Sequence, residues 1–322
     1  MTPTVLTGIK PTGTPHIANY FGAIKPALES ATGGGKSFFF IADYHALTTV
    51  KCAKEMQKHI KEIVCTWLAC GLDTKKTVLY RQSDVPEIFE LSTILGNVTA
   101  KGLMDRAHAY KAAAQAGESV HIGLYTYPIL MAADILLFDT NLVPVGQDQK
   151  QHIEIAADIA DSFNAIFGKT LTVPQPQIRK EVAIIPGLDG QKMSKSHGNI
   201  IPLFASSDEL LKCIKRITTD SSLPADPKPT DHLIFKLYEL CAGKDKVAEF
   251  GKRFKQGIGW GDAKQELYKE LNAYIEPMRQ KYNHLMANYG EAEKILAAGA
   301  MQARKVARET IARVRKAVGI DS

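Results

Sequence analysis

The chain has 322 residues, enough for one large domain or two of medium size. With 45% hydrophobic residues it can bury a substantial core, and no apolar run reaches the length that an integral membrane protein needs. A formal net charge of +6 is compatible with a polyanionic partner but too small to indicate one. The five cysteines form no Cys-x-x-Cys pair, so we expect reduced thiols without a zinc site, in a soluble cytoplasmic protein without a signal peptide.

The first part of the chain alternates short apolar runs with amphipathic stretches. The apolar runs predict strands at 4–9, 37–43, 77–81 and 142–145. The amphipathic stretches predict helices at 16–30, 54–70, most of 86–137, and 147–167. We expect the small-residue segment 112–120 to be a mobile loop and the segment 173–185 to be extended. This alternation predicts an α/β fold, a Rossmann-like doubly wound parallel sheet in a domain of residues 1–203.

After residue 203 the pattern becomes helical throughout. Amphipathic stretches predict helices at 206–216, 232–242, 244–255, 263–289 and 291–318. The sequence therefore predicts a C-terminal all-helical domain, residues 204–322, with a proline-rich linker at 221–229. We expect the last helix to pack back on the first domain. Lysine and arginine are spread along this helix, and we expect those charges to form a solvated face.

The loop Gly190–Asn199 lies just before the change to helical pattern. Its glycines and asparagine tolerate positive φ, so it is not the interior of a helix. Lys192 and Lys195 offer mobile positive charges, and the hydroxyl of Ser194 can donate to phosphate oxygens. A basic surface loop has the same composition, so this pattern alone leaves phosphate binding and a solvated loop both open.

Two signature segments set this loop in context. Lys-Met-Ser-Lys-Ser at 192–196 resembles the second signature of the class I aminoacyl-tRNA synthetases. The segment 16–19, within Pro-His-Ile-Ala-Asn, stands after the first strand, where that family has a His-Ile-Gly-His-like tetrad. Together with segments 130–137 and 143–152, the chain resembles the bacterial type of the tryptophanyl branch over nearly its whole length. The two signatures lie in the family's order, which makes the match far more specific than either alone.

The resemblance implies an enzyme that activates tryptophan with Mg-ATP. Tryptophanyl-adenylate would form first, and the acyl group would then pass to the 3′-terminal adenosine of tRNA(Trp). The resemblance also implies a homodimer and an anticodon-binding role for residues 204–322. It implies no protein residue that binds a metal, because Mg²⁺ is held mainly by the phosphates of ATP.

Roles in the family carry over to individual positions of this chain. The implied catalytic residues are His16, Asn19, Lys192, Ser194 and Lys195. The implied ATP-binding residues are Lys10, Pro11, Thr12, Gly13, His16, Ala18, Asn19, Gly146, Asp148, Gln149, Ile184, Ile185, Lys192, Met193, Ser194 and Lys195. The implied tryptophan-binding residues are Leu6, Gly8, His45, Tyr127, Met131, Asp134, Val143, Val145 and Gln149. Among the catalytic residues, Lys195 ranks first.

The chemistry of this reaction agrees with these residue types. A carboxylate attacks the α-phosphate and pyrophosphate leaves, so the enzyme must position two anions and neutralise developing charge. The indole N–H needs an acceptor within apolar walls, and Asp134 on an apolar helix is suited to that role. A buried carboxylate must be hydrogen-bonded or paired. The alternative is that Asp134 points outward from its helix.

Two positions depart from the family pattern. Relatives usually have Gln where this chain has Lys10, and Gly where it has Ala18. A lysine cannot accept a hydrogen bond from the substrate ammonium, so we expect Lys10 to reach the carboxylate or the α-phosphate instead. The methyl group of Ala18 would lie beside the adenine ring.

Three other functions stay open. A tyrosyl-tRNA synthetase needs partners for a hydroxyl that both donates and accepts, whereas only Asp134 is polar at that end of the pocket. A small-molecule adenylyltransferase of the same superfamily lacks a helical domain of this size. An inactive RNA-binding paralogue would not need Lys192 and Lys195. Pyrophosphate–ATP exchange that depends on a particular amino acid separates all of these functions.

Overall fold

The computed structural model describes residues 4–31, 35–117, 120–146, 149–178 and 185–321. A five-stranded sheet has the order β3-β2-β1-β4-β5, and all of its pairings are parallel. The strands are β1 (Thr4–Ile9), β2 (Lys36–Ile41), β3 (Thr77–Arg81), β4 (Leu142–Val145) and β5 (Gln175–Ile178). The predicted α/β fold is confirmed. Because the strand order reverses beside β1, the sheet has a switch point between the carboxyl ends of β1 and β4, where such folds bind ligands.

Helices surround this sheet, and loops and turns connect them. In the first part they are α1 (Ile17–Asn19), α2 (Lys25–Ala31), α3 (Asp43–Ala46), α4 (Ala53–Ala69), α5 (Glu87–Gly96), α6 (Lys101–Asp105), α7 (His108–Gln115), α8 (Ile122–Leu136) and α9 (Lys150–Phe167). In the second part they are α10 (Ser207–Lys215), α11 (Leu233–Cys241), α12 (Lys244–Gln256), α13 (Trp260–Ala287) and α14 (Gly290–Val318). No helix of the described ranges is long and apolar enough to cross a membrane.

Two of the predicted elements need correction. The stretch 16–30 is not one helix, because a π-helical turn, Tyr20–Ile24, separates α1 from α2. The first half of segment 112–120 is not a loop, because α7 runs as far as Gln115. Alanine, lysine and glutamine are good helix formers, and that preference prevails there over the expected loop.

The sheet has an apolar cluster on each face. Successive residues of a strand point to opposite sides, so Phe39 lies in one cluster and Phe40 in the other. Cluster 1 contains Phe39 together with residues of α4, α10, α11, α12 and α13. Cluster 2 contains Phe40 together with residues of α5, α8, α9 and α14 from Ala300 onward. The helices that follow residue 203 therefore share their apolar core with the sheet.

The last helix, α14, packs along the edge strand β3 and against α5. A Cβ atom added to Gly299 would lie 1.9 Å from the carbonyl oxygen of Leu79 in β3. Only a glycine lets the helix backbone approach the strand so closely. Small residues on the same face, Ala300, Ala303 and Ala307, are buried in cluster 2.

We expect Gly299→Ala to destabilise the protein by about 1–3 kcal/mol, the usual cost of overpacking a core. Alanine alone would favour the helix by about 1 kcal/mol, but its methyl group meets a backbone carbonyl that cannot rotate away. Urea unfolding measures the difference. Gly290→Ala in the same helix is the matched control, because a Cβ there has no heavy atom within 4 Å. Equal stability of the two variants would contradict the close approach.

Most lysines and arginines of α14 are exposed, as a solvated face requires, but four of the arginines also form ion pairs. Its arginines pair with acidic residues of the first part: Arg304 and Arg308 with Glu87, Arg313 with Asp139, and Arg315 with Glu90. Burial alone would raise the pKa of Glu87, but the hydrogen bonds from the two arginines outweigh it and lower the pKa below its usual range. These pairs join residues more than 170 positions apart in the chain, so helical periodicity gives no sign of them.

Candidate active site

The two signature segments lie side by side next to the end of β1. The backbone N–H of Ile17 donates to Ile201 O at 2.9 Å, and that of Leu203 donates to Pro15 O at 3.0 Å. His16 and Pro202 form an antiparallel bridge between these two bonds. Segments about 175 residues apart in the sequence are thus joined through the residues that directly follow the signature loop.

His16 caps helix α1 and is only 9% exposed. The backbone N–H of Asn19 donates to His16 Nδ1 at 3.3 Å, and Asn19 Oδ1 accepts from the N–H of His16 at 3.0 Å. Because Nδ1 is an acceptor, the neutral ring carries its proton on Nε2. This arrangement lets Nε2 donate to an anion, while Asn19 holds the ring in place.

The turn that leads to His16 carries four of the predicted ATP-binding residues. Thr12 N donates to Lys10 O at 3.0 Å, and Gly13 has a φ of 109°, which requires a glycine. Lys10 Nζ donates to Thr48 Oγ1 at 3.0 Å, and desolvation lowers the pKa of the ammonium group. Pro11 is buried. The turn therefore places a lysine beside the first signature.

The signature loop is organised around Asn199, which is 3% exposed. Asn199 Oδ1 accepts from Ser194 N at 2.8 Å, and its Nδ2 donates to Asp189 Oδ1 at 2.8 Å and to Lys192 O at 3.1 Å. From the sequence, Asn199 was predicted only to form a turn, so this role was missed. A Cβ on Gly187 would lie 2.4 Å from the Asn199 side chain, so the loop also needs that glycine.

Side chains of the loop divide between the core and the surface. Lys192 is exposed, whereas Met193 is 5% exposed and lies in cluster 1. Ile185, predicted to border adenine, is also in cluster 1 and 5% exposed. The Met193 side chain therefore anchors the loop in cluster 1. Ile184 and Asp148, together with the side chain of Lys195, lie outside the described part of the chain.

Asp134 is buried on α8, with 0% exposure, so the outward-pointing alternative is wrong. Gln82 Nε2 lies 2.9 Å from both of its carboxylate oxygens, and His45 Nε2 lies 2.8 Å from Oδ2. Burial raises the pKa of the Asp134 carboxyl, while the hydrogen bonds from His45 and Gln82 oppose that rise. The carboxylate therefore has the buried, hydrogen-bonded environment that an acceptor in an apolar pocket needs.

A second polar chain lies beside the first. The hydroxyl of Tyr127, on α8, is 2.5 Å from His152 Nε2, and His152 Nδ1 is 2.7 Å from Gln149 Oε1. The rings of Tyr127 and His45 meet edge to face at 6.4 Å. His152, which was not among the predicted site residues, thus joins Tyr127 and Gln149, and the ring contact joins Tyr127 to His45. Gln82 was also missed.

The remaining predicted pocket residues surround the same region of the sheet. Leu6 and Val143 are buried in cluster 2, and Met131 and Val145 pack against that cluster. A Cβ on Gly8 would lie 2.5 Å from the ring of Phe40, so packing within the sheet already requires this glycine. Gly146, at the end of β4, is exposed, and Ala18 is half-buried. Within the described ranges, no group of three His, Cys, Asp or Glu side chains could hold a metal ion.

A doubly wound parallel sheet with these two signature segments beside β1 defines a class I aminoacyl-tRNA synthetase. Residues 2–276 match the family described as tRNA synthetases class I (W and Y). A tryptophan–tRNA ligase of Pseudomonas aeruginosa is 48% identical over 335 residues, which cover 100% of this chain and 75% of that protein. A tryptophan–tRNA ligase of Neisseria meningitidis is 47% identical, over 98% of this chain and 97% of that protein.

A solved structure gives the same result. Tryptophanyl-tRNA synthetase of Campylobacter jejuni, complexed with ADP and tryptophan, matches with a TM-score of 0.92 and 42% identity, over 98% of this chain and 99% of that one. The chain belongs to the bacterial tryptophan–tRNA ligase family.

Proposed function

We propose that this protein activates L-tryptophan with Mg-ATP and transfers the tryptophanyl group to the 3′-terminal adenosine of tRNA(Trp). The observation that carries the proposal is the buried Asp134 acceptor, 0% exposed, in a fold that also joins the two signature segments through the His16–Pro202 bridge. Tryptophan-dependent exchange of pyrophosphate into ATP tests it. Exchange that depends on tyrosine would favour the tyrosyl alternative, and no exchange with either amino acid would favour an inactive paralogue.

In the proposed reaction, the ATP phosphates lie between the two signatures. His16 Nε2 donates to a phosphate oxygen, while Lys192 and Lys195 follow the pyrophosphate as negative charge develops on it. Asn199 supports this role, because it closes the loop that carries both lysines and leaves Lys192 exposed. The protein supplies charge and position, and the attacking group is the carboxylate of the amino acid itself.

In the proposed pocket, the indole N–H donates to Asp134. An ionised carboxylate has about four lone-pair sites that can accept hydrogen bonds. Gln82 Nε2 contacts both oxygens of Asp134 and His45 Nε2 contacts Oδ2, so three of these sites are occupied. The remaining site, on Oδ1, suits a single donor such as the indole N–H. Because Asp134 is 0% exposed, the surrounding side chains must move apart as tryptophan enters. We assign the α-amino group to Tyr127 and Gln149.

The proposal gives Lys10 an anionic partner, either the substrate carboxylate or the α-phosphate. Lys10→Gln is expected to lower kcat/KM in pyrophosphate exchange about tenfold, since a hydrogen bond to a charged group contributes about 1.5–3 kcal/mol. Lys51→Gln is the control, because Lys51 is exposed and donates to the carbonyl oxygen of Leu47, four residues earlier.

Tryptamine, which lacks the carboxylate, distinguishes the two anions. If Lys10 contacts the carboxylate, the Lys10→Gln variant binds tryptophan more weakly and tryptamine unchanged. If Lys10 contacts the α-phosphate, the KM for ATP rises instead. A variant more active than the parent would contradict both, and would mean that Lys10 repels the substrate ammonium.

We also propose that residues 204–322 bind the anticodon of tRNA(Trp), and that the protein acts as a homodimer in the cytoplasm. The family resemblance supports these assignments. In the dimer, tRNA would extend from the helical part of one subunit to the active site of the other. Sedimentation equilibrium measures the oligomeric state, and aminoacylation assays with tRNA(Trp) carrying altered anticodons measure recognition. A monomer, or charging that is indifferent to the anticodon, would contradict the respective assignment.

A further inference from the structure

Gln82, to which the proposed mechanism assigns no contact with a substrate, is in direct contact with Asp134. It lies in the 3₁₀ turn that follows β3, and it is 0% exposed. Its Nε2 is 2.9 Å from Asp134 Oδ1 and 2.9 Å from Oδ2. On the other side of the amide, Gln82 Oε1 accepts from the backbone N–H of Tyr44 at 3.2 Å. His45, the residue that follows Tyr44, contacts the Asp134 carboxylate as well.

The chemistry of these groups fixes which way the amide faces. The N–H of Tyr44 can only donate, so the atom next to it must be the amide oxygen of Gln82. The amide nitrogen must then face Asp134, and an NH₂ group can only donate. Both oxygens of Asp134 are therefore acceptors toward Gln82. An ionised carboxylate meets this requirement, whereas a protonated one would place its own hydrogen in competition with the amide donor.

The two segments that carry this network are joined to each other. Asp43, 8% exposed at the start of α3, accepts from Ser83 N at 3.1 Å and from Ser83 Oγ at 2.5 Å. Tyr44 N also contacts Asp43 Oδ1, at 3.0 Å. The turn after β3 and the helix after β2 therefore hold each other at the carboxyl edge of the sheet. Gln82 is therefore held at both ends of its amide, and the neighbouring Ser83 holds the turn in place.

We propose that Gln82 is the positioning residue that makes the pocket specific for a ring that carries a hydrogen-bond donor. Gln82 holds the Asp134 carboxylate in one rotation and as an acceptor, so that Oδ1 meets the indole N–H. A ring without a donor at that position leaves a desolvated oxygen unpaired and is rejected. This inference rests on the proposed function, because it needs the indole to bind at Asp134.

The test compares two substrates in pyrophosphate exchange: tryptophan, and the analogue in which sulfur replaces the indole N–H. The ratio of their kcat/KM values measures how strongly the pocket recognises the donor. Gln82→Met keeps a similar shape but removes the amide. We expect this variant to lower the ratio about tenfold through a higher KM for tryptophan, with the KM for ATP unchanged. Gln57→Met, exposed on α4, is the matched control and should keep the parent ratio.

Gln82→Glu provides a second variant, in case the methionine variant does not fold. It keeps an acceptor for Tyr44 N–H but faces Asp134 with another carboxylate, so the ratio should fall at least as far. A merely structural role for Gln82 would lower kcat/KM for both substrates equally and leave the ratio unchanged, which would overturn the inference. A parent protein that does not distinguish the two rings would overturn it as well. A parent without tryptophan-dependent exchange would overturn the proposed function itself.

Discussion

Replacing Lys195 by alanine is expected to lower the rate of tryptophan activation about 10²–10³-fold, the usual effect of removing one preorganised donor to a developing charge. Tryptophan binding should change little, because Lys195 is proposed to meet charge that appears on pyrophosphate only in the transition state. The loss should therefore fall on kcat. Pyrophosphate exchange gives kcat, and equilibrium dialysis with tryptophan gives the affinity.

Lys212→Ala is the control for Lys195→Ala. Lys212 is an exposed lysine on α10, so its loss removes the same charge outside the signature loop. It should exchange pyrophosphate at the parent rate. A Lys195→Ala variant that also kept the parent rate would mean that the loop is only a surface feature, whatever its resemblance to a signature.

Replacing Asp134 by asparagine is expected to lower kcat/KM for tryptophan at least about tenfold. Asparagine keeps the size and one acceptor but loses the charge, and a hydrogen bond to a charged group contributes about 1.5–3 kcal/mol against about 1 for a neutral one. The structure adds a second reason. Gln82 Nε2 contacts both oxygens of Asp134, so the NH₂ group of the asparagine must face another donor.

The measurement for Asp134→Asn is pyrophosphate exchange with tryptophan and with tyrosine, on both proteins. Tyrosine should be a poor substrate for both, because Leu6, at the position expected to supply a second partner for a phenol hydroxyl, is apolar. Asp158→Asn, on an exposed position of α9, controls for the loss of one charge. If the variant kept full activity with tryptophan, or if the parent preferred tyrosine, the pocket assignment would be wrong.

The central strands were predictable because strands buried on both faces consist mostly of apolar residues. β2 lies between two strands and has five consecutive buried residues, so it reads as an unbroken apolar run. β5 is an edge strand with the pattern Gln-Pro-Gln-Ile, mostly exposed, and only an extended segment could be predicted there. The π-helical turn at Tyr20–Ile24 has no sequence signal of its own.

The residues missed in the candidate site are polar side chains whose partners are far away in the sequence. Gln82 and Asp134 are 52 positions apart, and a glutamine after a strand looks like any loop residue. His152 connects Tyr127 and Gln149 from an amphipathic helix, where a histidine has many other uses. One signal could have found Gln82. Gln82 directly follows β3, and the residues that follow parallel strands lie at the edge of the sheet where such folds bind ligands.

The position of α14 imposes an order on the folding of the newly made chain. β3 is an edge strand, and α14 covers it with the close contact at Gly299 and supplies Ala303 and Ala307 to cluster 2. Every residue that α14 covers is synthesised before α14 itself. While the ribosome makes the intervening helices, α14 does not yet cover the outer edge of β3 or its side of cluster 2. An uncovered edge strand and exposed apolar surface can associate with other chains. The core beside the active site is completed only after the last helix has emerged.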